Sequence, residues 1–245
     1  MGREILILIS YIAVEYIIIY KCGLFFLFML EGIKLGIFDH SGVLSDDRKP
    51  VYTANQILLE KYGLPPLTFD EWLHTTQASC GAALREMGAT ASEKEIDATY
   101  AATYNHVVTR TDNPVRPEMY ADAPSVLSAL RDDKGIELAI VSSHPRVNLV
   151  RELDEYGISH FFDEISGDPM PKAQRLKNIC NQFGVSPREA FFVEDTFYGL
   201  RSGKEADVNC LGVTTGYHPR EALEREIPAV YVVDSLTDLL PLINP

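Results

Sequence analysis

Five short apolar runs, separated by stretches of helical period, constrain the fold of this chain more than any other feature. They are Ile33–Phe38, Ile136–Val141, Ala190–Val193, Cys210–Val213 and Ala229–Val233, each bounded by polar residues or glycine. Continuous apolar runs of this length suit strands buried on both faces, as in a parallel sheet covered by helices. The intervening stretches supply the helices. Leu176, Ile179, Cys180 and Phe183 fall at i, i+3, i+4 and i+7 with Gly184 as the stop, and Val126, Leu127 and Leu130 mark a helix over Ala123–Asp133 ahead of Gly135. Strands alternating with helices predict an α/β fold, a doubly wound parallel (Rossmann-like) sheet. Residues 51–116 break the alternation. Ala54, Ile57 and Leu58, then Trp72 and Leu73, then Ala83, Leu84 and Met87, then Tyr100, Tyr104 and Val107 read as helices with no strand among them. The expectation is a core made of residues 29–50 and 117–245, with a helical domain, 51–116, inserted after the first strand.

The beginning of the chain does not fit this pattern. Of the first 30 residues, 23 are hydrophobic. A spanning helix needs about 20 predominantly apolar residues. Tyr11–Leu30 reaches that length only by burying Glu15 and Lys21, at about 2.5–3.5 kcal/mol per charge on the insertion scale. A cleaved signal peptide fits poorly, because Arg3 is the whole basic region and no small-x-small site follows. Met29 opens a segment that leads straight into the first strand. Residues 1–28 are therefore an over-extended reading frame, a membrane anchor or an additional packed element. A membrane partner is expected only if they are an anchor. The intact mass of the native protein separates the first reading from the others.

Lysine and arginine total 22 against 35 aspartates and glutamates, a formal net charge of -13. A phosphate backbone would be repelled by such a field and no basic run offsets it, so a nucleic-acid partner is not expected. The prefix contributes nothing to this acidity, since Arg3 and Lys21 cancel Glu4 and Glu15. Cys22, Cys80, Cys180 and Cys210 stand singly, without metal-ligand or redox spacing. Free thiols in a reducing cytosol are the expectation. No glycine-rich dinucleotide loop, Walker sequence or zinc-protease helix is present.

Ligands of an open α/β sheet bind beyond the carboxyl ends of its strands. Asp39, His40 and Ser41 follow the first predicted strand; Ser142, Ser143 and His144 follow the second; Glu194, Asp195 and Thr196 follow Ala190–Val193; and Lys172 opens a helix. Carboxylates, a hydroxyl and a lysine would thus converge on one crevice, a set suited to phosphoryl transfer. A carboxylate can attack phosphorus and split one hard step into two. Clustered carboxylates without basic neighbours favour a hard cation such as Mg2+, which takes oxygen ligands. A lysine and a hydroxyl would hold the transferring oxygens. Taken one at a time, these residues read as helix caps, turn residues or solvated surface groups; only their joint placement points to chemistry.

The order Asp39, Ser142, Lys172, Glu194-Asp195 resembles the four motifs of the haloacid dehalogenase superfamily. The surrounding text is similar too: Gly-Ile-Phe-Asp at the first motif, Ile-Val-Ser-Ser at the second, Phe-Val-Glu-Asp-Thr at the fourth. The resemblance covers Ile33 to the C-terminus, and the helical insertion resembles the C1 cap of phosphoglycolate phosphatase-like and β-phosphoglucomutase-like members. It implies a magnesium-dependent hydrolase of a small phosphorylated metabolite, acting through an aspartyl-phosphate. Asp39 would be nucleophile and metal ligand, Glu194 and Asp195 further ligands, and the Ser41 carbonyl the last protein ligand. Ser142, Ser143 and Lys172 would bind the phosphoryl group. The cap's specificity loop would correspond to Thr75–Gly81, with Arg85 just beyond it as a substrate contact.

Ser41 departs from the pattern. Phosphatases of this superfamily usually carry a second aspartate there, two residues after the nucleophile, as general acid/base. A serine hydroxyl is a much weaker acid, and general acid–base help is worth about 10²–10⁴-fold. Three readings remain open: a slow or specialised phosphatase, a phosphonoacetaldehyde-hydrolase-like enzyme that cleaves a C–P bond, and a weakly catalytic phosphate-binding protein. The second needs a Schiff-base lysine from the insertion, which holds Lys61 and Lys94, with Lys49 at its edge.

Overall fold

Six parallel strands form the central sheet of the computed structural model, which describes residues 29–75, 79–112, 114–168 and 171–245. In chain order the first strand is β1 (Leu35–Phe38), and β2 (Ser45–Asp46) follows it. Helices α1 (Arg48–Lys61), α2 (Phe69–Thr75), α3 (Cys80–Glu86) and α4 (Glu93–Thr109) come next, then β3 (Glu118–Met119). The chain continues with α5 (Ala123–Ser128), β4 (Glu137–Val141), α6 (Arg146–Glu155), β5 (Glu164–Ser166), α7 (Lys172–Phe183) and β6 (Ala190–Glu194). It ends with α8 (Phe197–Glu205), β7 (Asn209–Val213), α9 (Arg220–Glu224) and β8 (Val232–Val233). The sheet order is β5-β4-β1-β6-β7-β8, while β2 and β3 form a separate antiparallel pair. This is the expected doubly wound α/β architecture.

The strand residues divide between two faces. Phe38, Leu138, Ile140, Phe191 and Val193 pack with Val126, Leu127, Leu149 and Leu153 of α5 and α6. Leu35, Ile37, Ala139, Val141 and Phe192 pack on the other side with Leu176, Ile179 and Cys180 of α7. Both faces are buried, which is why the strands read as unbroken apolar runs. Helix α7 stops at Gly184, whose φ of +67° places it in the left-handed region, as the sequence predicts.

Several details differ from expectation. The first strand starts at Leu35 rather than Ile33. Ala229–Tyr231 form a 3-10 turn after Pro228, leaving only Val232–Val233 as the edge strand. The helix beginning at Ala123 ends in a π-turn over Ala129–Asp133. Strand β5 has no counterpart among the five apolar runs; it is a three-residue edge with Ile165 between polar neighbours.

Between β2 and β3 stand the four helices α1–α4. Leu58, Leu59, Ala83, Leu84, Ala89 and Ile96 form one of their cores, and Ala54, Tyr104, Val107 and Val108 another. Residues 1–28, and with them the reading-frame and anchor expectations, lie outside the described residues. Among the described residues no helix is long and apolar enough to cross a membrane, and Cys80, Cys180 and Cys210 are free thiols.

Candidate active site

Asp39 begins where β1 ends, and its backbone N–H still bonds the Val193 carbonyl of β6 at 3.0 Å. Sheet hydrogen bonding therefore fixes the carboxylate at the carboxyl edge of the central strands. Its Oδ2 accepts from Lys172 Nζ at 2.8 Å, and the same ammonium donates to Glu194 Oε2 at 2.6 Å. Lys172 is the first residue of α7, so the helix start delivers the cation to two carboxylates from different strand ends. Burial opposes the charge of each group. For Asp39 the Lys172 ammonium outweighs burial and holds the carboxyl below its ordinary value. For Lys172 the two carboxylates outweigh burial and raise it.

Asp39, Glu194 and Asp195 bring carboxylate oxygens within 4.8 Å of one another, all buried. Glu194 is raised by burial and by the Asp39 charge in spite of Lys172, and Asp195 is raised well above its usual range by burial and its two acidic neighbours. Glu194 Oε1 is occupied by the Thr196 hydroxyl at 2.7 Å and the Thr196 N–H at 3.0 Å, and Asp195 Oδ2 by the Tyr217 N–H at 2.7 Å. Asp39 Oδ1 and Asp195 Oδ1 are buried without a hydrogen-bond partner. Two orphaned carboxylate oxygens in a buried acidic cluster fit a hard divalent cation. The backbone leaves room for these carboxylates: a Cβ at Gly199 would collide with Glu194, and one at Gly42 or Gly216 with Asp195.

Ser142 closes β4, its N–H bonded to the Ser166 carbonyl of β5 at 2.9 Å and its Oγ accepting the His144 N–H at 3.2 Å. Asp39, Ser41, Ser142, Ser143, Lys172 and Asp195 all line one cavity of about 870 Å³, whose remaining wall comes largely from α1–α4. The arrangement supplies a partnered carboxylate, an acidic cation cradle and donors for an anion.

A haloacid dehalogenase-like hydrolase profile matches residues 36–213, most of the chain and the whole site. The chain belongs to the haloacid dehalogenase-like hydrolases. Within that family it is 28% identical over 221 residues to phosphoglycolate phosphatase 1 of Pseudomonas aeruginosa, covering 85% of this chain and 79% of that protein. A family hydrolase from Streptococcus pneumoniae superposes with a TM-score of 0.73 at 18% identity, covering 85% of this chain and 97% of the other. CbbY from Rhodobacter sphaeroides, solved in complex with phosphate, gives 0.68 at 17% identity, with 85% and 96% covered. The two structural likenesses show the fold alone.

This hydrolase places the remaining predicted residues as follows. Glu194 stands behind Lys172, its oxygens engaged by the chain's own donors. Arg85 does not reach the crevice: its guanidinium donates to the Ala89 carbonyl at 2.6 Å and it is not part of the cavity wall. The reason is the turn of α3, which carries Arg85 to the exposed side while Ala83 and Leu84 point inward. The predicted loop Thr75–Gly81 is described only at its ends, where Thr75, Ser79 and Cys80 line the cavity; residues 76–78 lie outside the described residues. Of the insertion's lysines, Lys94 lines the cavity, whereas Lys61 Nζ donates to the Thr99 hydroxyl.

Sequence reasoning missed a buried polar network behind Asp39. The Ser41 hydroxyl donates to Asp47 Oδ2 at 2.6 Å, and Tyr217 donates to Asp47 Oδ1 at 2.8 Å. Glu152 of α6 accepts from Tyr104 of α4 at 3.1 Å and pairs with His40 at 2.9 Å and His144 at 3.3 Å. Burial works against Glu152, but the charge and hydrogen bond of His144 dominate and hold it far below its ordinary value; the same carboxylate keeps the buried His144 raised. Arg175 is a second omission. Its guanidinium donates to the carbonyls of Ser142, Ser166 and Gly167 at 2.8, 3.1 and 3.2 Å, tying together the two loops that flank Ser142. For Glu152 and Arg175 the only sequence signal is a charged residue on the inward face of a helix.

Proposed function

We propose that this hydrolase is a phosphatase that removes phosphate from a small phosphorylated metabolite through an aspartyl-phosphate on Asp39. The observation that carries the reading is the asymmetry of that carboxylate: Oδ2 is bonded to Lys172, while Oδ1 is buried, unpartnered and beside the cavity. A carboxylate held ionised by Lys172, with one free oxygen, is prepared to attack phosphorus. The phosphatase names of its sequence relatives and the phosphate in CbbY agree with this.

Mg2+ is the cation that the donor set suits. Asp195, through its open oxygen, and the Asp39 carboxylate would hold it, with the Ser41 carbonyl beside them and Glu194 supporting the cluster. When bound, it would offset the negative charge of phosphate oxygens. The remaining steps belong to the chain. Ser142 and Ser143 present hydroxyls to the phosphoryl oxygens, and Lys172 adds positive charge there and orients Asp39. As Asp39 Oδ1 bonds to phosphorus, the P–O bond to the leaving group breaks and the alkoxide takes a proton from water to leave as the alcohol. A water then attacks phosphorus of the aspartyl-phosphate and gives up a proton, releasing inorganic phosphate and restoring the carboxylate. The helices α1–α4 serve as a cap that limits bulk water over the site.

A panel of phosphate monoesters assayed with Mg2+ tests this reading. Turnover that chelation by EDTA removes, and that Asp39→Asn lowers by more than about 10³-fold, is expected. A mutant with full rate would overturn the mechanism. Covalent trapping by borohydride in the presence of phosphonoacetaldehyde would instead establish the C–P reading. Phosphate affinity without turnover would establish a binding protein.

A further inference from the structure

The cavity has two halves of different character. The floor carries the acidic cluster, Lys172 and the two serines. The opposite wall presents Leu59, Leu67, Trp72, Leu84, Met87 and Tyr100. Three polar groups on that wall already have partners. Asn55 donates to the Val51 carbonyl at 2.9 Å and accepts from Cys80 Sγ at 3.3 Å, while Asp97 accepts the Gly81 N–H at 2.6 Å. Burial pushes the Cys80 thiol up to about 12, so this group is neutral.

Positive charge is nearly absent from the wall. Among the described residues no arginine lines the cavity, and its basic side chains are Lys172, Lys94 and His144, the last paired with Glu152 behind the phosphoryl-binding floor. Lys172 is engaged between Asp39 and Glu194. Lys94 stands on α4 next to Glu93 and one turn from Asp97, and both acids line the same cavity. A second anionic group on a substrate, whether carboxylate or phosphate, would leave water with Lys94, flanked by those acids, as the cation of that wall to meet it. It would also approach two acids. An apolar group would instead be drawn in by the surface it covers. The volume suits a ligand with a ring or a branched chain, within the range of about 300–1,000 Å³ usual for small-molecule sites.

We propose that the leaving group accepted here is an uncharged, largely apolar alcohol. The preferred substrates are then aryl or branched alkyl phosphate monoesters, rather than esters that carry a carboxylate or a second phosphate. The proposal rests on the phosphatase reading and departs from the substrate named for the Pseudomonas aeruginosa relative.

The test uses the full chain with Mg2+. Values of kcat/KM are measured for phenyl phosphate, phosphoglycolate and fructose 1,6-bisphosphate. Calorimetry measures the binding of phenylphosphonate and phosphonoacetate, which have no ester to hydrolyse. Phenyl phosphate is expected to exceed both anionic esters by about tenfold or more in kcat/KM. Phenylphosphonate is expected to bind about tenfold more tightly than phosphonoacetate. Equality or the reverse order in either comparison overturns the proposal, as does failure of both phosphonates to bind. If none of the esters is turned over, the phosphatase reading fails, and the two phosphonates still decide the character of the cavity.

Discussion

A serine hydroxyl has one hydrogen, and that of Ser41 is given to Asp47 Oδ2 at 2.6 Å. With that hydrogen committed, the group is not available as a donor to a departing alkoxide. This geometry changes what the obvious substitution should do. Ser41→Asp alone would set a second carboxylate against buried Asp47, whose carboxyl is already raised by burial despite its partners. No gain in phosphatase rate is expected from it. Exchanging the two residues, Ser41→Asp with Asp47→Ser, removes the repulsion and keeps a hydroxyl beside the new acid. That pair is expected to raise kcat by about 10²-fold, the lower end of general acid–base help. Steady-state kinetics of both singles and the double give the coupling directly; a rise in Ser41→Asp alone would show that Asp47 does not govern the site.

Strands and helices are joined at their ends by the same buried charges. His40 follows β1, His144 follows β4 and Glu152 lies on α6, so one carboxylate ties three elements together. Its contribution to stability depends on pH in both directions. Glu152 is depressed when folded, so its stabilisation is present above the ordinary value of 4.5 and is lost as pH falls through the folded value. His144 is raised when folded, so its share is complete below 6.5 and is lost as pH rises through the folded value. The difference in urea stability between the native chain and Glu152→Ala should therefore be greatest between 4.5 and 6.5. There it should reach about 3–5 kcal/mol, and it should shrink on either side. A second element-level effect is expected in the first turn of α8. The Cβ of Gly199→Ala would displace Glu194, lowering activity at least about tenfold by misplacing the cluster while far-UV circular dichroism is unchanged. These contrasts also show what was legible in the sequence. Asp39, Ser142 and Asp195 could be read because each directly follows a buried strand, Glu194 because it ends one, and Lys172 because it opens a helix. Glu152 and Arg175 could not, because a charge in a helix reads as solvated until the facing elements are known. Asp47 and Tyr217 escaped for another reason: they meet across 170 residues of chain. Strand β5 escaped because an edge strand needs few apolar residues.

Across the whole molecule, the inserted helices and the sheet are joined by polar and aromatic contacts as well as by the chain. Tyr104 reaches from α4 to Glu152, Arg151 donates to Asn105 at 2.7 Å, and the Trp72 ring of α2 meets Tyr217 at 5.7 Å between centroids. Tyr104→Phe removes one of these links and takes a donor from a buried carboxylate. A loss of about 1–2 kcal/mol in thermal or urea unfolding is expected, with no change in secondary structure. The chain enters and leaves the helical insertion through β2 and β3, which pair antiparallel with Ser45 opposite Met119 and Asp46 opposite Glu118. Two ends held one hydrogen-bonded ladder apart form a ready-made splice point. A different helical module whose termini lie side by side could be joined there at little loop-closure cost, leaving the strands that carry Asp39 in register. In evolutionary terms, the neck lets substrate choice be traded as a cassette while the phosphoryl chemistry stays where it is.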